Sequence, residues 1–374
     1  MRLAVSHDVV RLVIAWGTVG LFLAFGSAWL ADLGSAVKSA ALFAWLLGVI
    51  VWCAFGVVAQ ADHLAELLDE PLGTLILTLA IVLIEVALIA AVMLGAHAAP
   101  TLGRDTMFAI LMIVLNGVVG LALLLGGLRH HEQEYNLQGA MAYLAVIMPL
   151  SVVALILPNF TRSTPGPSLS GIQSFFFALF TVLLYGVFLA VQTVRHRTFF
   201  TEPGGPDGRG HTADGEGGHA APSARAVARH AVLLVLTVLP IVLLAKQLAK
   251  LIDHGIDVLG APVALGGMLI ALIVFTPEGL SALRAALDNR LQRAVNLCLG
   301  GALSTIGLTV PAVVGAGWIT GQPVVLGVDP SEMVLLTVTL GLSVLTFIGP
   351  RTTVLEGAVH LVVFLVYVVL IFSP

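Results

Sequence analysis

Long apolar runs alternate with short polar connectors along nearly the whole chain. A hydrocarbon core of ~30 Å takes about 20 helical residues to cross. Runs of that length fall near 10–30, 39–60, 73–95, 106–127, 139–158, 170–194, 230–251, 262–286, 295–318, 332–349 and 355–372, about eleven candidate spans. They are continuous rather than alternating at period two, which predicts helices and not the strands of a barrel. No small-residue cleavage pattern follows the first run, so it is expected to stay as a span. One long polar stretch breaks the series, RHRTFFTEPGGPDGRGHTADGEGGHAAPSARAVAR from Arg195 to Arg229. Its Gly, Pro and charge cannot bury enough apolar surface to fold alone, which predicts a flexible linker.

That linker lies between the sixth and seventh spans, leaving five spans on each side after one extra N-terminal span. The expected organisation is therefore 1–38 as an N-terminal span, 39–194 as a first five-helix unit, 195–229 as linker and 230–374 as a second unit. A repeat supports it. GTLILTLAIVLIEVALIAAVML (Gly73–Leu94) aligns without gaps to GGMLIALIVFTPEGLSALRAAL (Gly266–Leu287) at an offset of 193, placing Glu85 on Glu278. A unit with an odd number of spans must enter the membrane upside down in its second copy. Inverted repeats of this kind are a transporter signature, with the site near the midplane. The fold class expected is an all-α polytopic membrane protein.

Composition agrees, with 59% hydrophobic and 10% charged residues among 374. A net charge of −4 gives no footing for nucleic acid, and the bilayer is the partner expected. Monomer and oligomer both remain open. Cys53 and Cys298 fall inside spans, where small core fillers are expected rather than a disulfide or thiolate site. With the N-terminus inside, twelve Lys and Arg lie in cytoplasmic segments and five on the opposite side. The bias predicts insertion in the cytoplasmic (inner) membrane with the N-terminus cytoplasmic and the C-terminus outside.

Two acids stand out against this background. Glu85 and Glu278 sit deep in apolar runs, where a carboxylate is costly and marks function by default. Low dielectric disfavours the charged form, while a hard cation that takes oxygen ligands reverses that preference. Protons and cation would then compete for the same oxygens, and exchange follows. Thr74, Thr78 and Glu85 share a helix face, and Ser281 lies one turn beyond Glu278. Pro277 lacks an N–H for the carbonyl of Ile273, so it is either a plain kink or the source of a further oxygen ligand. In the next span of each half, Asn116 and the trio Asn296, Ser304 and Thr305 are candidate ligands or interhelical packing groups, with Gly300 and Gly301 allowing close approach. The acidic stretch ADHLAELLDEPLG and the turn RHHEQE read as solvated polar segments, though the acids could gather cations at an entrance; His211, His219 and His230, in or beside the linker, could sense pH or bind metal.

EPLGTLILTLAIVLIEVALIAAVML and TPEGLSALRAALDNRLQRAVNLCLGGALSTIGLTVP resemble the two alpha-repeats of bacterial calcium(sodium)/proton antiporters, within the calcium:cation antiporter superfamily; LLAKQLAKLID resembles the same branch. The resemblance implies ten core helices plus one, inverted repeats, and alternating access driven by the proton gradient. It also implies that Glu85 and Glu278 bind both the metal cation and protons. Where many relatives show a Gly-Asn pair before each glutamate, this chain has Val82-Leu83-Ile84 and Phe275-Thr276-Pro277. Fewer local oxygens leave the choice among cations open. Asn116 and Ser304 match the family's second-helix polar positions approximately.

The function expected is a secondary antiporter exchanging Ca²⁺, with Na⁺ or K⁺ as further cargo, for H⁺. No resident cofactor is expected. Two alternatives use the same carboxylates. An intramembrane metal-dependent enzyme would need histidines within spans; His360 is the one His well inside a run, and no HExxH occurs. A passive channel would conduct without proton coupling.

Overall fold

Backbone N–H and C=O groups find no water in hydrocarbon, so each spanning segment must satisfy its own and becomes helical. The computed structural model of the chain, an all-α protein, describes residues 2–68, 80, 82–86, 89, 100–203, 224–321 and 323–373. Among these, nine helices are long and apolar enough to cross a membrane, and Pro330–Thr346 is a shorter apolar helix. Most of the expected third span lies outside the described residues, apart from 80, 82–86 and 89. The chain divides into two units, Met1–Leu102 with His219–Pro277, and Gly103–Gly218 with Glu278–Pro374.

The first unit is built on α1 (Arg2–Ala31), α2 (Ala36–Leu68) and α6 (Ala224–Leu259). All three pack on one another, α2 against α6 most extensively. Phe22, Trp29 and Trp45 interlock edge to face between α1 and α2. Trp16 donates its indole N–H to the Leu236 carbonyl. Polar groups near the starts of α1 and α6 and the end of α2 are chained together. Gln60 donates to Asp8 at 3.2 Å and meets His230 Nδ1 at 2.7 Å, and the His230 ring stands 5.0 Å from that of His63. The linker was expected to run to Arg229 with His230 beside it; helix α6 is already formed at Ala224 and carries His230 into this packing. His211 and His219 lie outside the described residues.

The second unit holds α3 (Leu102–His130), α4 (Leu137–Phe160), α5 (Gly171–Arg195), α8 (Leu291–Ile319), α9 (Pro330–Thr346) and α10 (Val354–Phe372). α7 (Ala264–Leu287) passes from one unit to the other between Pro277 and Glu278. Four of these helices contain a π-helical segment: Ile113–Val118 in α3, Val152–Ile156 in α4, Val191–Arg195 in α5 and Thr305–Thr309 in α8. Two segments have a local cause. Pro158 and Pro311 follow them closely and cannot donate to the preceding turn. Such insertions gather at functional positions. The α3 segment packs against α8, α9 and α10, and the α8 segment against α4 and α5.

Close approach of α3 and α10 depends on glycine. A Cβ at Gly357 would come within 2.4 Å of the Leu124 nitrogen, and one at Gly120 within 3.1 Å of the Gly357 oxygen. The RHHEQE turn, expected to be solvated, forms part of a small ribbon: β1 (Gln133–Glu134) pairs antiparallel with β2 (Arg351–Thr352). His131 supplies the left-handed turn into it at φ 66°. Arg351 reaches Glu132 and Glu134 across the ribbon, and Arg290 reaches Glu202, around a cavity of about 410 Å³. Burial pushes the Tyr135 phenol above its ordinary range and keeps it a donor, to the Gly349 carbonyl.

Two expected boundaries differ. Helix α3 starts at Leu102, not near 106, because Arg104 is not a loop residue: it pairs with Asp105 at 2.8 Å and donates to the Gly327 carbonyl at 2.7 Å. Of the segment expected as linker, Arg197–Phe200 is a 3₁₀ turn docked on the second unit, where the Phe200 carbonyl accepts from Asn296 and that of Thr198 from Asn136. Residues 204–223 lie outside the described residues. Cys53 and Cys298 are buried free thiols, as expected.

Candidate functional site

Apolar flanks position both glutamates. Glu85 lies in a helical stretch, 82–86, between buried Ile84 and the half-buried Val86; its own exposure is 1%. Glu278 follows Pro277 inside α7 and is 5% exposed. A carboxylate so placed loses its water, so its charge must be neutralised or hydrogen-bonded. Glu85 belongs to the first unit and Glu278 to the second. Ser281, one turn after Glu278, is half-buried. Thr78 and Thr74 lie outside the described residues.

Asn116 sits at the centre of the π-helical segment of α3 and is fully buried. Its amide is held at both ends. Nδ2 donates to Thr339 Oγ1 at 2.8 Å, and Oδ1 meets His360 Nδ1 at 3.1 Å. The far side of the His360 ring, Nε2, lies 2.9 Å from Thr346 Oγ1. Thr339 Oγ1 in turn faces the Met112 sulfur at 3.6 Å. Three helices therefore meet in one polar cluster within an apolar bundle. His360, set aside in the sequence as too isolated for a metal enzyme, belongs to this network, and Thr339 and Thr346 had no signal of their own. Their partners are 223, 14 and 244 residues apart, beyond any local spacing rule.

Ser304 and Thr305 are buried at the junction of α8 with its π-helical segment, and Ser304 donates to the Gly301 carbonyl at 2.9 Å. The α3 segment carrying Asn116 packs against Leu291–Ser304, the part of α8 that ends at Ser304. The structure adds Thr309. The 193-residue offset that superposes Glu85 on Glu278 also carries Asn116 onto Thr309. Thr309 is fully buried at the end of the α8 π segment, and its hydroxyl has no hydrogen-bond partner among the described residues. The offset could have found it from sequence, had it been applied beyond the glutamates.

The family described as sodium/calcium exchanger protein matches residues 38–194 and 229–373. The chain is 40% identical over 328 residues to the sodium-potassium/proton antiporter ChaA of Escherichia coli strain K12, covering 88% of this chain and 87% of that one. Its structure is similar to that of the Ca²⁺/H⁺ antiporter protein YfkE, with TM-score 0.69 and 17% identity over 98% of this chain and 100% of the other. It is similar also to the H⁺/Ca²⁺ exchanger CAX, with TM-score 0.68 and 14% identity over 97% of this chain and 87% of that one. The structural likenesses speak to fold, and the sequence matches, which span most of the chain, to kinship. The chain belongs to the sodium/calcium exchanger protein family of membrane transporters.

Proposed function

We propose that the chain is a secondary antiporter that exchanges Ca²⁺, Na⁺ or K⁺ for protons across the cytoplasmic membrane, with Glu85 and Glu278 alternately holding cation and proton. The observation that carries this reading is the pair of buried carboxylates 193 residues apart in otherwise apolar helices. Each can be neutral with a proton or neutralised by a cation, and neither state leaves a bare charge in hydrocarbon. Asn116, Thr309, Ser304, Thr305 and Ser281, with Thr78 seven residues before Glu85 in sequence, are the auxiliary oxygens. Pro277, expected to break the helix beside Glu278, lies inside the continuous α7; lacking an N–H, it leaves the Ile273 carbonyl as a further oxygen.

Support for two oppositely inserted halves comes from helix starts. α4 and α9 begin at Leu137 and Pro330, again 193 residues apart, and the family matches one segment on each side of the polar stretch. Lys and Arg bias favours a cytoplasmic N-terminus and an external C-terminus. The names of the relatives divide between monovalent and divalent cargo. With few oxygens beside each glutamate in sequence, a broad cation range fits better than a dedicated Ca²⁺ cage, which wants 6–8 oxygens.

The test is cation-driven dequenching of a pH-sensitive dye in inverted vesicles energised with a proton gradient. Wild type should respond to Ca²⁺, Na⁺ or K⁺, and Glu85→Gln and Glu278→Gln should each abolish the response to every cation. A normal response from either variant defeats the assignment.

A further inference from the structure

We propose that His360 is a positioning residue that fixes which end of the Asn116 amide faces the cation path. The inference rests on the antiport reading above and on Asn116 belonging to that path. An amide beside a cation helps only through its oxygen; turned over, it presents an N–H and repels. Asn116 is held against that turn from both sides. Its Oδ1 can only accept, so the His360 Nδ1 at 3.1 Å carries the proton and donates. Its Nδ2 donates to Thr339 Oγ1 at 2.8 Å. A carbonyl oxygen has two lone pairs, so the one not used by His360 remains for a ligand.

The ring itself is anchored. In the neutral imidazole Nε2 is the acceptor, and the Thr346 hydroxyl at 2.9 Å donates to it. The Thr346 hydroxyl can donate or accept, so the tautomer is set on the α3 side, where Asn116 Oδ1 and the Leu115 carbonyl that also bonds the ring both call for an N–H. Packing does the rest: Gly120 and Gly357 bring α3 and α10 so close that a Cβ at Gly120 would lie 3.1 Å from the His360 Cβ. The ring, fully buried, has no room to swing away. An aliphatic side chain would fill this space without cost in hydrogen bonds. The pattern of a histidine, two threonines and an asparagine joined across α3, α9 and α10 is what orienting one amide requires.

Side-chain geometry supplies a discriminating test. Asn places its Nδ2 as many bonds from Cα as the His Nδ1, whereas Gln reproduces the position of Nε2. His360→Asn keeps the donor to Asn116, and His360→Gln keeps only the contact with Thr346. Cation KM and maximal rate, normalised to protein in the membrane, are measured in vesicles for His360→Asn, His360→Gln, His360→Leu, Thr346→Val, Asn116→Ala and Asn116→Ala/His360→Gln. His360→Gln and His360→Leu should raise the cation KM about tenfold, the equivalent of one hydrogen bond. His360→Asn should return it to within about threefold, and Thr346→Val should lower thermal stability with little change in KM. In the Asn116→Ala background, His360→Gln should add nothing further. Equal behaviour of the Asn and Gln variants, or losses confined to protein amount and stability, would overturn the proposal. So would an unaltered KM in Asn116→Ala, which would take Asn116 out of the cation path. Antiport itself is decided separately, by Glu85→Gln and Glu278→Gln.

Discussion

A buried hydroxyl without a partner costs stability, so a fold that keeps one has a use for it. Among the described residues Thr106, Ser151 and Thr309 are buried this way, and of these Thr309 sits at the repeat-equivalent position of Asn116. Thr309→Val preserves shape and removes only the oxygen. If the hydroxyl serves the cation, the variant should raise the cation KM several-fold while the melting temperature holds or rises. A higher melting temperature with unchanged KM would leave Thr309 outside the transport path. The two glutamates stand out in the sequence because apolar runs surround them; a charge in such a run is visible without any knowledge of the fold. Asn116 was legible as polar but not as held. Its partners Thr339 and His360 come from helices more than 200 residues away, and only packing brings them together.

Helices α3 and α10 carry the polar cluster, and their spacing is set by Gly120 and Gly357. Gly357→Ala would drive a methyl to 2.4 Å from the Leu124 nitrogen, which backbone can relieve only by moving the helices apart. Overpacking of this kind costs about 1–3 kcal/mol, and thermal unfolding in detergent should show a lower midpoint with a raised cation KM as His360 is withdrawn from Asn116. At the start of α3, Arg104 and Asp105 form a buried pair that also holds the Gly327 carbonyl. Arg104 also reaches Asp329 at 3.6 Å; removing Arg104 takes from Asp105 its buried cation, at a cost of ~3–5 kcal/mol. Arg104→Leu should therefore unfold earlier than Arg104→Leu/Asp105→Leu, and the same melting experiment decides it. The hydrophobic runs located these elements well but misjudged their ends. Charged residues looked like loop until a partner neutralised them, as at Arg104. The 3₁₀ turn Arg197–Phe200 looked like linker because the side chains of Asn136 and Asn296 bond to its backbone carbonyls, which composition does not reveal.

For the whole transporter, charge balance separates its cargoes. Two glutamates each releasing one proton against one Ca²⁺ move no net charge, whereas the same two protons against one Na⁺ move one. A membrane potential acts on net charge at about 2.3 kcal/mol per 100 mV. In K⁺-free proteoliposomes whose potential is set by a chloride gradient and a chloride ionophore, Ca²⁺ exchange should be indifferent to voltage and Na⁺ exchange should follow it. Competition for the same oxygens also sets the sign of the pH response: the apparent KM for cation should rise as the pH falls on the loading side. The all-helical membrane architecture was legible at this level because lipid permits so few solutions. The cargo was not, because Ca²⁺, Na⁺ and K⁺ all take oxygen ligands and the sequence shows few of them beside each glutamate. The most direct test of the central claim is proton release on cation addition to the purified protein, read with a pH dye in weakly buffered detergent solution. Wild type should release protons on adding Ca²⁺ or Na⁺, Glu85→Gln and Glu278→Gln should each release fewer, and the double variant none. Undiminished release from the double variant would contradict the account.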